Sequence, residues 1–343
     1  MKPYEIVRRA IHRQRPPRIP VIFGSFGCND RVVLPVKPPL GWEPPRPGED
    51  EWGCVWGHTE VKNMGQVVKH PFADGLPSNL RTTAWPDYGI DSRYRECEAA
   101  LAQAERKGLY VHADIFMVLF ERMHSLYGFE NTLCDVLVER EAMERLADHI
   151  VETHLRFVEN ISHRFGSRIH GVTMSDDWGT QSAAFVSAEL WMDFFYPKYK
   201  RLFDAMHSAG YDVWVHSCGK VNEIVECYIR AGVDIVNLQQ PRALGIEEMG
   251  KRYRGRIAFQ SLCDIQHTLP TGDRQRVDAD VDALMMHWAD REGGFICSDY
   301  GDEVLGVKDP SLKMHMYRRF SQWSEKLYGS PLPEPKIPPP VLA

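Results

Sequence analysis

From about residue 95 onward the chain alternates short apolar runs with amphipathic segments, and this alternation constrains the fold more than any other feature. Strand-like runs are expected at 109–112, 169–174, 212–216, 234–238, 256–260 and 294–296. Helical periodicity separates them, over 97–107, 116–127, 133–138, 142–165, 188–209, 221–231, 246–253, 278–291 and 310–327. Strands joined by crossover helices pair in parallel, because a tight hairpin cannot connect parallel neighbours. With a helix-like opening at 4–12 and a strand at 19–24, roughly eight such units predict a single (β/α)8 TIM barrel rather than an open doubly wound sheet.

Residues 25–95 break the pattern. Pro35, Pro38, Pro39, Pro44, Pro45 and Pro47 rule out a regular helix, and Trp42, Trp52, Trp56 and Trp85 are interleaved with them. A segment of this length without regular structure predicts a lid insertion, serving as substrate cover or as a homodimer surface. The barrel domain is therefore expected over 1–330, carrying the 25–95 lid, and the Pro-rich tail 331–343 is expected to run extended along the surface.

Charge and composition exclude several functions. With 41 Lys+Arg against 47 Asp+Glu the net charge is −6, which supplies no cationic field for nucleic acid. No run of about 18 apolar residues is present to span a membrane. The opening MKPYEIVRRAIHRQRPPRIP has no secretory apolar core, so a cytoplasmic location is expected. The eight cysteines show no small-scaffold disulfide pattern and are expected to be reduced, of use as thiolates.

In a parallel barrel the functional face lies at the strand C-termini, so the residues after each apolar run are the informative ones. Five successive strands end in polar groups: Ser175-Asp176-Asp177-Trp178, His216-Ser217-Cys218-Gly219, Asn237-Leu238-Gln239-Gln240, Gln260-Ser261-Leu262-Cys263-Asp264 and Cys297-Ser298-Asp299. His216 and Cys218 are the sharpest pair. In extended chain, residues i and i+2 project to one side, so an imidazole and a thiolate can converge on one ion. Zn2+ favours such N/S donors, and a catalytic site takes three protein ligands with one position open. Cys263 or Cys297 could supply the third, and spacing alone does not order them. The bland reading makes His216 a core histidine and Cys218 a buried apolar residue.

At these residues the chain resembles the uroporphyrinogen decarboxylase superfamily, in its cobamide-dependent methyltransferase-like branch. The resemblance rests on Arg18-Ile19-Pro20-Val21, Gly128-Phe129-Glu130-Asn131, Asp176 to Gln181, His216 to Val221, Gly232-Val233-Asp234, Asp264-Ile265-Gln266 and Leu269-Pro270. It implies a (β/α)8 barrel and a zinc held by His216, Cys218 and a distant cysteine, with Cys297 favoured on position and Cys263 its rival. The implied activity moves a methyl group between a small-molecule donor or acceptor and a cobamide. No D-x-H-x-x-G segment is present, so the cobamide would arrive free or on a partner corrinoid protein. The alternative is a tetrapyrrole decarboxylase of the uroporphyrinogen type. Decarboxylases carry an arginine pair after R-V-P-V and a later F-S-D segment. Here only Arg31 could serve and no F-S-D follows, which leaves the substrate carboxylates without the clamp that offsets their desolvation.

Asp177 and Asp299 are expected to do catalytic work, Asp177 facing the pocket as a general base, a substrate ligand or a fourth metal contact, while Asp176 caps the helix opening at Ala188. Gln239, Gln240, Gln260 and Trp178 are expected to hold the substrate, since amides at barrel strand ends orient polar ligands. Glu121 and Arg122 read as surface charges. A third reading is a non-catalytic protein that binds metal or a small ligand on an enzyme scaffold.

Overall fold

The structure, a computed structural model, describes residues 1–57, 65–78, 80, 83, 85–301 and 311–336. Parts of the expected lid, and residues 337–343 of the expected tail, lie outside them.

One nine-stranded sheet forms the barrel wall. Its strands are β1 (Val21–Phe23), β2 (Cys28–Asn29), β3 (Arg31–Val33), β6 (Tyr110–Ile115), β7 (Gly171–Ser175), β8 (Asp212–His216), β9 (Ile235–Asn237), β10 (Ala258–Ser261) and β11 (Phe295–Ser298). A separate hairpin pairs β4 (Val55–Gly57) with β5 (Gln66–Lys69). Within the wall β2 runs antiparallel to β1, and every other pairing is parallel. The chain descends along β1 as β2, reverses at Asp30 and climbs beside β6 as β3. Residues 28–33 are therefore barrel wall rather than lid. Arg18 locks the reversal with a bidentate pair to Asp30, both bonds 2.7 Å, and the backbone N–H of Val21 donates to the same carboxylate at 2.8 Å.

The helix α1 (Pro3–Ile11) closes the bottom of the barrel. Its Val7 and Ile11 form a small core with Tyr110, Trp214, Ile235, Ala258 and Ile296, one residue from each of five strands. The larger core fills the space between the wall and the outer helices and takes the alternate residues, among them Val213, Val215, Val236, Phe259, Phe295 and Cys297. This is strand alternation at work: successive side chains leave opposite faces. The expected helix at 188–209 is interrupted by a π-helical turn, Trp191–Phe195, before Tyr196–Ser208. Pro197 at the second position of the later segment has no N–H to continue an α-helical ladder, which accounts for the break.

The tail is pinned as far as it is described. Leu332 is buried, the Lys336 N–H donates to the Phe26 carbonyl at 2.8 Å, and the Cys28 thiol faces the Pro333 and Glu334 carbonyls. Among the described residues no helix is long and apolar enough to cross a membrane.

Candidate functional site at the barrel mouth

Two residues beyond the apolar floor, the same inward-facing register becomes polar. Tyr110 leads to His112 and Asp114, Trp214 to His216, Ile235 to Asn237, Ala258 to Gln260 and Ile296 to Ser298. Pairing His216 with Ser175 and Asn237, and Asn237 with Gln260, sets these side chains at one height. Most of them line a cavity of about 420 Å3.

At its rim the carboxylate of Asp177, His216 Nε2 and Cys218 Sγ lie within 4.8 Å of one another. The thiol is 3.3 Å from His216 Nε2, and Asp177 Oδ1 is 3.5 Å from the same nitrogen. His216 Nδ1 sits 3.1 Å from the Asn237 carbonyl, so it carries the proton and leaves Nε2 as the free lone pair. Burial, with Asp177 beside it, pushes the Cys218 thiol well above its ordinary value. A divalent cation reverses that preference by neutralising thiolate and carboxylate together. One thiol, one imidazole and one carboxylate, the imidazole held from behind, suit Zn2+.

The loops that carry these donors are joined backbone to backbone. The Cys218 N–H donates to Asp177 Oδ1 at 2.7 Å, the Trp178 N–H to Ser217 Oγ at 3.1 Å and the Lys220 N–H to the Thr180 carbonyl at 2.8 Å. Gly219, at φ +83°, lies so close to Gly179 that a Cβ would overlap the Gly179 carbonyl. Only glycine meets both demands. Gln240 completes the cradle, its Oε1 accepting from the Gly219 N–H at 2.9 Å.

The other expected site residues separate. Cys297 and Cys263 are fully buried behind the wall, their thiols 3.5 Å from the Pro20 carbonyl and 3.4 Å from the Val277 carbonyl. On β11 the inward positions are Ile296 and Ser298, which turns Cys297 away from the mouth. Neither cysteine joins the pair, and Asp177 takes the third place. Asp299 is bonded to Ser25 at the end of β1, outside the trio. Trp178 is fully buried and stacks on Phe120 at 4.3 Å, so it packs the wall rather than facing a ligand. Gln240 is committed to the Cys218 loop. Gln239 is half-buried and offers its backbone carbonyl to the Ile265 N–H. Gln260 alone of the expected substrate-holding residues lines the cavity; its Oε1, like Asn237 Oδ1, is buried without a hydrogen-bond partner among the described residues.

Asp176 caps as expected, although the helix is Phe120–Tyr127 rather than the one near Ala188. Its carboxylate accepts the N–H groups of Leu119, Phe120 and Glu121 at 3.2, 2.9 and 2.6 Å. Glu121 and Arg122 are buried, not surface charges. Ser175 Oγ donates to Glu121 at 2.7 Å, and burial, with Asp177 and Asp176 close by, holds the Glu121 carboxyl well above the usual range. Arg31, the one arginine that sequence reasoning offered to substrate carboxylates, lines the cavity, as does Asp114, which it missed. Arg31 lies over the Trp214 ring at 4.8 Å, and Asp114 accepts from Thr173 Oγ1 at 2.6 Å. Asp114 had a signal: 110, 112 and 114 share the inward face of one strand.

A family model described as uroporphyrinogen decarboxylase (URO-D) matches residues 119–299, just over half of the chain. No curated protein matches. Among solved structures, a methyltransferase from Methanosarcina mazei aligns with 95% of this chain and 99% of that one at TM-score 0.68 and 12% identity, which shows a common fold. A 3-keto-D-glucoside 4-epimerase from E. coli aligns with 67% of this chain and 84% of its own, at 11% identity and TM-score 0.38, too loosely to bear on function.

Proposed function

The chain belongs to the uroporphyrinogen decarboxylase family, and on that premise we propose that it is a zinc-dependent methyltransferase, moving a methyl group between a small molecule and a cobamide that arrives free or on a corrinoid protein. One observation carries the reading: Asp177, His216 and Cys218 converge at the open end of the barrel. Bound there, Zn2+ would supply Lewis acidity toward the heteroatom that bears or receives the methyl group. Asp177, His216 and Cys218 would hold the ion, the Asn237 carbonyl orients the imidazole, and Gln240 fixes the thiol loop. Glu121 and Ser175 form a hydrogen-bonded pair beside Asp177, and Gln260 offers an amide to a ligand in the cavity. The tetrapyrrole decarboxylase reading is weaker, because Arg31 is the single guanidinium among the residues lining the barrel cavity and cannot pair with many carboxylates.

Metal analysis of the purified chain tests the reading first. About one Zn2+ per chain is expected, lost in Cys218→Ala and in Asp177→Asn and retained in Cys297→Ser. Equal, negligible zinc in all four proteins sinks the metal mechanism. With zinc present, incubation with cob(I)alamin and methoxy, methylamine and thiol compounds is expected to give methyl transfer. Carbon dioxide release from uroporphyrinogen would instead support the decarboxylase.

A further inference from the structure

A separate cavity, of about 430 Å3, lies between the end of β3, the end of β6 and the helices Phe120–Tyr127 and Arg140–Phe165. Its volume falls in the range of small-molecule sites, about 300–1,000 Å3. It shares residues 33 and 114–116 with the barrel cavity, and none of Asp177, His216 and Cys218 lines it. Residues 33–36, 115 and 116 make an apolar side, and Trp52 and Tyr88 come from the Pro-rich segment before residue 95. The polar groups are Arg122, His154, Lys37 and Asp114.

Two of these are deeply buried and short of partners. Arg122 and His154 are 3% and 1% exposed. Arg122 Nε and Nη1, and both ring nitrogens of His154, make no well-formed hydrogen bond among the described residues. The Cys54 thiol and the Val118 carbonyl are only loose neighbours of the two side chains. The guanidinium lies over the Trp52 ring at 4.5 Å, and its Nη2 donates to the Phe116 carbonyl at 3.1 Å. Asp50 stands 3.6 Å from Nη1, but both its oxygens already accept, Oδ1 from the Trp52 and Cys54 N–H groups and Oδ2 from the Trp56 indole. The charge is thus balanced from a distance while two of its donor nitrogens stay unmet, a costly state for buried groups. Burial, with Arg122 nearby, pushes the His154 pKa down to about 3, so the neutral ring offers one N–H and one lone pair. Asp114 is the one carboxylate in the lining, and its Oδ1 accepts from Thr173 Oγ1, a residue of the barrel cavity, at 2.6 Å. Lys37 adds a half-exposed ammonium at the rim, 3.6 Å from Glu96. What this cavity lacks is an acceptor, and its apolar side suits a carbon body better than a bare, strongly hydrated ion.

We propose that this cavity binds a short organic monocarboxylate, its oxygens on Arg122, Lys37 at the entrance and its carbon body against residues 33–36. The inference goes beyond the methyl-transfer reading and stands without metal or cobamide. Calorimetry and ligand-observed NMR on the full chain test it, with butanoate, butanamide and inorganic phosphate as probes. Butanoate is expected to bind about tenfold tighter than the other two. Arg122→Gln is expected to abolish that preference and Lys37→Gln to weaken butanoate about two- to threefold, with thermal unfolding recorded for each. A carboxylate can also reach a metal at the trio or Arg31 in the barrel cavity, so Cys218→Ala and Arg31→Gln are measured beside them and are expected to bind butanoate as the wild type does. Loss of binding in either of these, tighter binding of phosphate, equal affinity for butanoate and butanamide, or unchanged affinity in every folded variant of Arg122 and Lys37 overturns the proposal.

Discussion

Residue positions at the mouth are governed by parity along short strands. His216 and Cys218 were legible because a polar pair at i and i+2 directly follows an apolar run, and the strand, Asp212–His216, ends where that run ends. The third donor was not. The stretch Gly294-Phe295-Ile296-Cys297 is apolar throughout, as a strand buried on both faces is, so nothing in it tells inward from outward positions. Asp177 reads from sequence as a pocket residue, a catalyst or at most a fourth metal contact, and stands as the third donor because the loops after β7 and β8 meet at Gly179 and Gly219. That closeness predicts a role for Gln240, which touches no other donor in the trio. Gln240→Ala is expected to lower metal affinity about 10–100-fold without removing a ligand, measured by competition with a chromophoric chelator. Unchanged affinity would show that the loop holds itself.

At the scale of elements, the helices and longer strands were readable from periodicity, whereas β2 and β3, of two and three residues, are too short to show a period. Their place in the wall depends on a long-range pair, Arg18 with Asp30. Both side chains are largely buried, so Asp30→Asn leaves the guanidinium without its counter-charge and is expected to cost about 3–5 kcal/mol. Chemical denaturation of the variant measures this, and a loss below 1 kcal/mol would mean the reversal at Asp30 is held by its backbone alone. The plug α1 supplies a pH dependence. His12 Nε2 lies 2.8 Å from Asp212 Oδ1, whose other oxygen accepts from Tyr110 at 2.9 Å. The hydrogen bond to Asp212 raises the His12 pKa above its ordinary 6.5, against the opposing effect of burial. A raised histidine contributes stability that is fully present below about 6.5 and is lost as pH rises through the folded-state value. Between pH 6 and 8 the wild type is therefore expected to lose more thermal stability than His12→Gln, and parallel pH profiles would contradict it. His207, paired with Asp234, shifts the same way and contributes equally to both proteins.

Across the whole molecule, all eight cysteines are free, and burial sorts them. Six are buried, Cys134 is exposed on its helix, and Cys218 is intermediate. A native thiol titration is expected to modify Cys134 rapidly, to leave Cys218 unmodified while metal is bound, and to reach it once a chelator is added. Rapid labelling of Cys218 before chelation would argue against a resident metal. The large-scale architecture was readable because alternating strand and helix signals leave few topologies for a parallel sheet. What escaped the reading was the means of closure, the Asp30 reversal at one seam and the helix that seals the floor.

That sealing helix sets an order of events during synthesis. The segment Pro3–Ile11 is translated ahead of the wall it seals, yet its apolar face has partners on β6, β8, β9, β10 and β11, the last of which spans residues 295–298. Its docking site is complete only once β11 has been made. A helix made before every strand of the wall is thus seated only after the last of them, and until then Val7 and Ile11 wait in solvent beside an open-bottomed, unfinished wall.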